Sequence, residues 1–307
     1  MKKRLPEALR ATSAIFLVLL LLLFTTGQPL HAVASEESGT YADFDGLRVH
    51  YVDEGPRERP ALVFIHGWSC DVSFWRFQTE ELRDKFRVIA IDLPGFGLSD
   101  KPADRAYTLD LFAGAARAVV EAAGVEKPVL IGHSMGYPVT TKYLALYPGE
   151  ARAIVNVDGA YFRSPSNPRT IKELKEMNAF LEGLLGPERP QFIGFFIEST
   201  FYGRTPQPLR TEIMEKMASA DEYAANSSMK EFIVPENWEE RSYDVPALAV
   251  YSAHEYVPPD HEAYLRTVFP NLTYEEWPDT GHFLMMEAPE RFNGVLVKFV
   301  EGLPEPR

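Results

Sequence analysis

The sequence predicts an α/β protein: a mostly parallel central sheet with helices on both faces and a helical cap inserted late in the chain. Three observations predict it. Short, uninterrupted apolar runs alternate with helix-patterned stretches, as in strands covered on both faces. That rhythm stops between about 161 and 241, where helical text broken by prolines holds no buried strand, and then resumes. Between one buried run and one helix, a glycine-rich turn carries a serine.

Residues 1–34 stand apart from this pattern. Lys2, Lys3, Arg4 and Arg10 precede an apolar run from Ala14 to Phe24, followed by Gly27, Pro29 and the small-residue sequence Ala32-Val33-Ala34. Such a segment reads as a secretory signal peptide cleaved after Ala34, sending the chain out of the cell or into the periplasm. The alternative is an uncleaved signal anchor, since the run is strongly apolar although short of the about 20 residues of a membrane span. Its removal takes away four basic side chains and Glu7, shifting the formal charge from −13 to −16. So acidic a chain repels nucleic acid and anionic membrane surfaces, and neither is expected as a stable partner.

A hydrophobic content of 46% can fill a full core, and the unclustered prolines and glycines exclude fibrous or disordered classes. Cys70 is the single cysteine, so no intramolecular disulfide can form, and packing must supply the stability. Its surroundings match no cysteine-enzyme signature, and it is read as a small loop residue.

The elements follow in order. Tyr41–Val52 places Asp45-Gly46 between two alternating runs, a hairpin signal. Ala61–Ile65 is a buried strand ending at His66-Gly67. An amphipathic stretch from about Phe74 to Phe86 and a second strand, Val88–Ile91, come next. Leu109–Ala123 is helical, Val129–Ile131 a strand, Met135 to about Leu146 a helix, and Ile154–Val157 a strand. After the insertion come the strands Ala247–Tyr251 and Leu272–Glu276, and a last helix from Pro289 to Val300. The organisation is therefore a core in two parts, 35–160 and 242–307, with a helical cap over 161–241 between them.

Gly132-His133-Ser134-Met135-Gly136 sits where strand turns directly into helix. Glycines two before and two after the serine let backbones pass closely, and the bend presents the Ser134 hydroxyl at the strand's carboxyl end as a nucleophile. The helix that follows leaves backbone N–H groups without intrahelical partners, so Met135 N–H can face a developing oxyanion, and Pro138 is tolerated in that first turn. A second donor is expected from His66-Gly67-Trp68, namely the N–H of Trp68.

A serine hydroxyl needs a base within hydrogen-bond reach. His282, in Asp279-Thr280-Gly281-His282-Phe283 between the last strand and the last helix, is the histidine whose loop lies at the same end of the sheet. His50 and His133 adjoin strands and are read as structural. A carboxylate must hold the imidazole's tautomer. Glu255, in the loop after Ala247–Tyr251, is preferred for its chain order, with Asp158, at the end of Ile154–Val157, as the alternative. His254-Glu255 and His261-Glu262 resemble metal-site vocabulary, but Pro258 and Pro259 forbid the single helix such a site requires, so no metal is expected. Asp92-Leu93-Pro94-Gly95-Phe96-Gly97 lacks a nucleotide-loop pattern and is expected to be a tight surface loop near the site.

With these pieces the chain resembles the α/β-hydrolase superfamily, in its serine-nucleophile branch, from about Tyr41 to Leu303. The resemblance rests on Phe64-Ile65-His66-Gly67-Trp68, Asp92-Leu93-Pro94-Gly95-Phe96-Gly97-Leu98-Ser99, Gly132-His133-Ser134-Met135-Gly136 and Gly281-His282-Phe283. It implies an eight-stranded sheet, a cap after the sixth strand and no cofactor. Dehalogenases and epoxide hydrolases of this layout use aspartate where this chain has Ser134, which disfavours those chemistries. The family's acid after the seventh strand is most often aspartate in a Gly-x-x-Asp setting, whereas this chain reads Ser252-Ala253-His254-Glu255.

The expected function is hydrolysis of an ester-like bond in a small, apolar substrate through an acyl-enzyme, with activity falling as His282 becomes protonated. The cap residues Phe192, Ile193, Phe195, Phe196, Phe201 and Tyr202 could line an apolar acyl pocket or form cap core. The alternatives are a C–C hydrolase, an aminopeptidase or a perhydrolase of the same fold, or a binding protein that keeps the fold without turnover.

Overall fold

The computed structural model describes residues 39–159, 189–201, 205–232, 241–253 and 257–305, with the isolated positions 175, 182, 183, 234 and 237. The signal-peptide expectation for 1–34, His254, Glu255, Tyr202, the side chain of Phe192 and most of 160–188 lie outside these residues.

The strands are β1 (Thr40–Phe44), β2 (Leu47–Glu54), β3 (Ala61–Ile65), β4 (Arg87–Ile91), β5 (Val129–His133), β6 (Ala153–Val157), β7 (Ala247–Ser252) and β8 (Leu272–Trp277). They form one sheet in the order β1-β2-β4-β3-β5-β6-β7-β8. The hairpin strand β2 pairs antiparallel with β1 and β4, and every other pair is parallel. Every residue of β3, β4, β5, β6 and β7 is buried, whereas the edge strands β1 and β8 alternate with solvent. A strand buried on both pleat faces is mostly apolar, which is why the central runs show no alternation.

Arg87 opens β4 as a buried exception. Its guanidinium meets the Asp53 carboxylate through two bonds of 2.8 and 2.7 Å and donates to the Ala123 carbonyl at 2.7 Å. The charge is thereby fully partnered, the condition for burying it.

Around the sheet lie a 3₁₀ turn (Val72–Trp75), α1 (Arg76–Leu82), α2 (Leu109–Ala122) and α3 (Gly136–Leu146). Between β6 and β7 come α4 (Arg189–Ser199), α5 (Gln207–Ala218) and α6 (Glu222–Phe232). The chain closes with α7 (His261–Val268), α8 (Leu284–Glu287) and α9 (Pro289–Glu301). The Thr108 hydroxyl caps α2 by accepting from Leu111 N–H at 3.1 Å. Ile193, Ile197, Ile213, Met217, Ala224, Ala225 and Met229, from α4 to α6, are buried in the same apolar cluster as the core strands. The inserted helices therefore share the core's hydrophobic interior.

The expected surface loop at Asp92–Ser99 needs correction, because Asp92 through Phe96 and Ser99 are buried and only Leu98 is exposed. The Asp92 carboxylate organises it, accepting from Val72 N–H at 2.7 Å and from Leu98 N–H and His50 Nδ1 at 2.8 Å. Burial alone would raise the Asp92 pKa, but the bonds from His50 and the two backbone groups outweigh it and hold the carboxyl below its ordinary value.

The strand order reverses at β3: β4 lies on one side of it and β5 on the other. In open α/β sheets the connections leaving such neighbours diverge at their carboxyl ends and open a crevice there. The loops after β3 and β5 are those carrying Trp68 and Ser134.

Candidate active site

At the end of β5 the backbone of Ser134 turns left-handed, with φ +53°. Its N–H donates to Val157 O at 3.0 Å, extending the ladder to β6 by one residue, and its own carbonyl accepts from Tyr137 N–H at 3.1 Å. Bulk is excluded on both sides. A Cβ on Gly132 would lie 2.4 Å from the Gly136 carbonyl oxygen, and one on Gly136 would lie 2.3 Å from that of Ile65. The two glycines thus permit the strand-to-helix bend by close backbone approach. Among the described residues the backbone N–H groups of Met135 and Trp68 have no acceptor, as donors awaiting an oxyanion would not.

The Trp68 loop is braced from two sides. The buried His66 donates from Nδ1 to Gly67 O at 2.8 Å and accepts Leu93 N–H on Nε2 at 3.0 Å, which fixes one neutral tautomer. Burial also holds its pKa below the ordinary histidine value. The Trp68 indole N–H donates to Ala225 O in α6 at 2.8 Å.

His282 follows β8, and its loop is held at five points. Its Nδ1 lies 2.6 Å from Asp158 Oδ2. Its backbone N–H donates to Thr200 O, just past α4, at 3.0 Å. Its carbonyl accepts from His133 Nε2 at 2.9 Å. One residue earlier, Gly281 N–H donates to Glu287 Oε2 at 2.9 Å. The Thr280 carbonyl also accepts from the Ser252 hydroxyl.

Asp158, the alternative acid, is therefore the described carboxylate that meets the imidazole, and the preferred Glu255 lies outside the described residues. The physical reason lies in how β6 ends. Asp158 has φ +45°, its N–H donates to Val250 O at 2.9 Å, and its Oδ1 accepts Ser252 N–H at 2.8 Å. Crossing the end of β7, the fully buried carboxylate leaves Oδ2 for the histidine. A carboxylate there selects the tautomer with the proton on Nδ1 and a free lone pair on Nε2, as a base requires.

His133, read as structural, also reaches the site through its bond to the His282 carbonyl. Burial first, and the neighbouring His282 second, hold its pKa well below the ordinary value, so it stays a neutral donor. The two rings lie 4.7 Å apart. His261, by contrast, packs edge-on against Tyr251 with ring centroids 4.6 Å apart.

Ser134 and His282 line one cavity of about 530 Å³, open mouth included, with Trp68, Cys70, Phe196, Met217, Met229 and Phe283 among its walls. Among the described residues no Asp, Glu, Lys or Arg lines it. Of the cap residues expected there, Phe196 lines it, Ile193 is buried, Phe201 packs near Phe283, and Phe195 is 76% exposed and contributes to neither pocket nor core. Cys70 is a buried thiol whose pKa burial pushes well up, so it is not an activated nucleophile.

The sequence model of the alpha/beta hydrolase fold matches residues 60–289. Over 110 residues the chain is 38% identical to epoxide hydrolase 1 of Caenorhabditis elegans, covering 35% of this chain but 27% of that protein. Over 164 residues it is 35% identical to a bifunctional esterase/perhydrolase of Acinetobacter calcoaceticus, covering 52% of this chain and 58% of the relative. A non-heme chloroperoxidase of Streptomyces lividans is 27% identical over 280 residues, 86% of this chain and all of that one. Among solved structures, an esterase from Exiguobacterium antarcticum superposes with a TM-score of 0.74 at 20% identity, covering 86% of this chain and 100% of its own. With the matched segment spanning β3 to α8 and the sheet order in place, this chain belongs to the α/β-hydrolase fold family.

Proposed function

We propose that this chain is an exported serine hydrolase that cleaves an ester-like bond of a small, apolar, uncharged substrate. One observation carries the reading: Ser134 shares a cavity with His282, whose Nδ1 is engaged by a buried carboxylate at 2.6 Å. Ser134 Oγ attacks the carbonyl carbon while His282 Nε2 takes its proton, and the N–H groups of Trp68 and Met135 stabilise the oxyanion. Collapse expels the alcohol, which receives that proton. Water, deprotonated by the same imidazole, then releases the acid and restores Ser134. Asp158 orients His282 and stabilises its charged form throughout.

The chemistry of serine argues against epoxide opening despite the epoxide hydrolase relatives. Serine attack on an epoxide leaves an ether with no carbonyl for water to reopen, whereas an aspartate nucleophile leaves a hydrolysable ester. The esterase/perhydrolase relative supports a second outcome for the same acyl-enzyme, in which hydrogen peroxide replaces water and a peracid leaves.

The test is a fluorophosphonate probe followed by a panel of activated acetyl, butyryl and octanoyl esters. Wild type should be labelled and turn over the short esters, with Ser134→Ala doing neither. Labelling that persists in the variant removes the nucleophile assignment, and labelling without turnover of any ester favours a binding protein. Export has its own measurement: N-terminal sequencing of protein from the periplasm or medium should begin at Ser35.

A further inference from the structure

The loop that carries His282 is tied to the inserted helices as well as to the sheet. His282 N–H donates to Thr200 O at 3.0 Å. A second tie runs through a side chain: Glu287, in α8, accepts on the single oxygen Oε2 both Gly281 N–H at 2.9 Å and the Thr205 hydroxyl at 3.0 Å. Thr205 opens the approach to α5 and is itself buried. One carboxylate oxygen thus joins the residue before the base to the cap.

We propose that Glu287 is a positioning residue, which fixes the His282 loop to the cap through Gly281 and Thr205 so that base and cap keep one register. The inference rests on His282 being the base. Its physical logic is that proton transfer requires the imidazole within hydrogen-bond reach of Ser134, and Asp158 restrains only the ring's far nitrogen. Rotation of the ring about its bond to Asp158 is opposed by holding the backbone, at His282 itself through Thr200 O and His133, and at the preceding Gly281 through Glu287. A carboxylate here is also poorly hydrated. Burial, only partly offset by the bonds from Gly281 and Thr205, raises the Glu287 pKa. A surface-seeking glutamate would not remain in such a place, so its acceptor function must hold it.

The substitutions separate this role from bulk. Glu287→Met keeps the length and removes the acceptor, Glu287→Gln keeps a carbonyl oxygen able to accept both bonds, and Thr205→Val removes only the cap's donor. With p-nitrophenyl acetate, Glu287→Met should lower kcat by about 10²-fold, the loss expected for a misplacement of roughly 1 Å, with KM nearly unchanged. Glu287→Gln should restore most of kcat. Thr205→Val should lower kcat by a smaller factor, and the double variant Thr205→Val/Glu287→Met should be no worse than Glu287→Met alone, because both break one linkage.

A wild-type kcat in Glu287→Met, additive losses in the double variant, or no rescue by Gln would each overturn the proposal. Should Glu287→Met fail to fold, Thr205→Val and Glu287→Gln still decide: a kcat loss in the first and its absence in the second are required. His282→Ala is the parallel control. If it retains activity the reading of the base fails, whereas an inactive His282→Ala beside a fully active Glu287→Met defeats only the linkage.

Discussion

Neighbouring strands β5 and β6 end in the same way and yet deliver opposite environments. Each is followed by a non-glycine residue in the left-handed region, Ser134 at φ +53° and Asp158 at +45°. Each of those residues donates its N–H to a carbonyl near the end of the next strand, Val157 O for Ser134 and Val250 O for Asp158. Past that shared geometry they part. Ser134 is half-buried and faces the cavity, whereas the Asp158 side chain has no exposed surface and spends both oxygens on Ser252 N–H and His282. A kink costing of order 1–3 kcal/mol aims a side chain across the sheet's end, and what lies beyond decides its role. A nucleophile must meet substrate, and an orienting carboxylate must be kept from water.

The largest effect should come from the exposed end. Ser134→Ala removes the attacking atom and should reduce kcat on an activated ester by on the order of 10⁶-fold while the fold survives. A loss under tenfold would mean that the kink presents no nucleophile. At the buried end, Asp158→Asn should cost about 10⁴-fold, because an amide donating to Nδ1 forces the imidazole proton onto Nε2. Glu255→Gln, measured beside it, should remain near wild type, and the reverse ranking would return the acid to the loop after β7.

Smaller consequences sharpen the contrast in backbone packing. Gly136→Ala sets a methyl 2.3 Å from Ile65 O, a contact that only backbone movement can relieve. Overpacking of this kind should destabilise the protein by about 1–3 kcal/mol in urea unfolding and displace Ser134 with it. Unchanged stability and turnover would show that the elbow does not depend on that approach.

The smallest effect concerns acid. The residue before Ser134 is His133, held neutral by burial, and the residue before Asp158 is Val157, which cannot titrate. Since the folded pKa of His133 is depressed, the unfolded chain binds a proton that the fold refuses, and stability should decline as pH falls below about 6.5, the ordinary histidine value. His66 shifts in the same direction. Unfolding at pH 7.5 and 5.5 should therefore show a shallower decline in His133→Val than in wild type, whatever its absolute stability, and equal slopes would place the acid sensitivity elsewhere.

Local text carried the parts of the site that local geometry determines. Ser134 was legible because Val129–Ile131 runs straight into Gly132-His133-Ser134-Met135-Gly136, and a bend there has few solutions. His282 was legible from its place between the last strand and the last helix. The acid was not, because Asp158 and Glu255 both follow strands, and choosing between them requires knowing that the left-handed turn after β6 carries a carboxylate across the end of β7. The burial of Asp92 is illegible for a similar reason: the glycines and proline after it describe a turn, while its burial comes from Val72 and His50, distant in the chain. Glu287 left no local signal, since a glutamate closing a short helix ordinarily reads as solvent-facing, and its partners Gly281 and Thr205 meet only in three dimensions.

Cys70 offers a consequence of a different kind. Its thiol is the protein's single sulfhydryl, sits in the cavity wall beside Trp68, and is kept protonated by its burial. Alkylation requires an open path and a thiolate, so its rate under native conditions reports how far that wall is accessible from the cavity mouth. A maleimide time course with and without a bound phosphonate would thus report whether an occupant shields that wall, with no label engineered in.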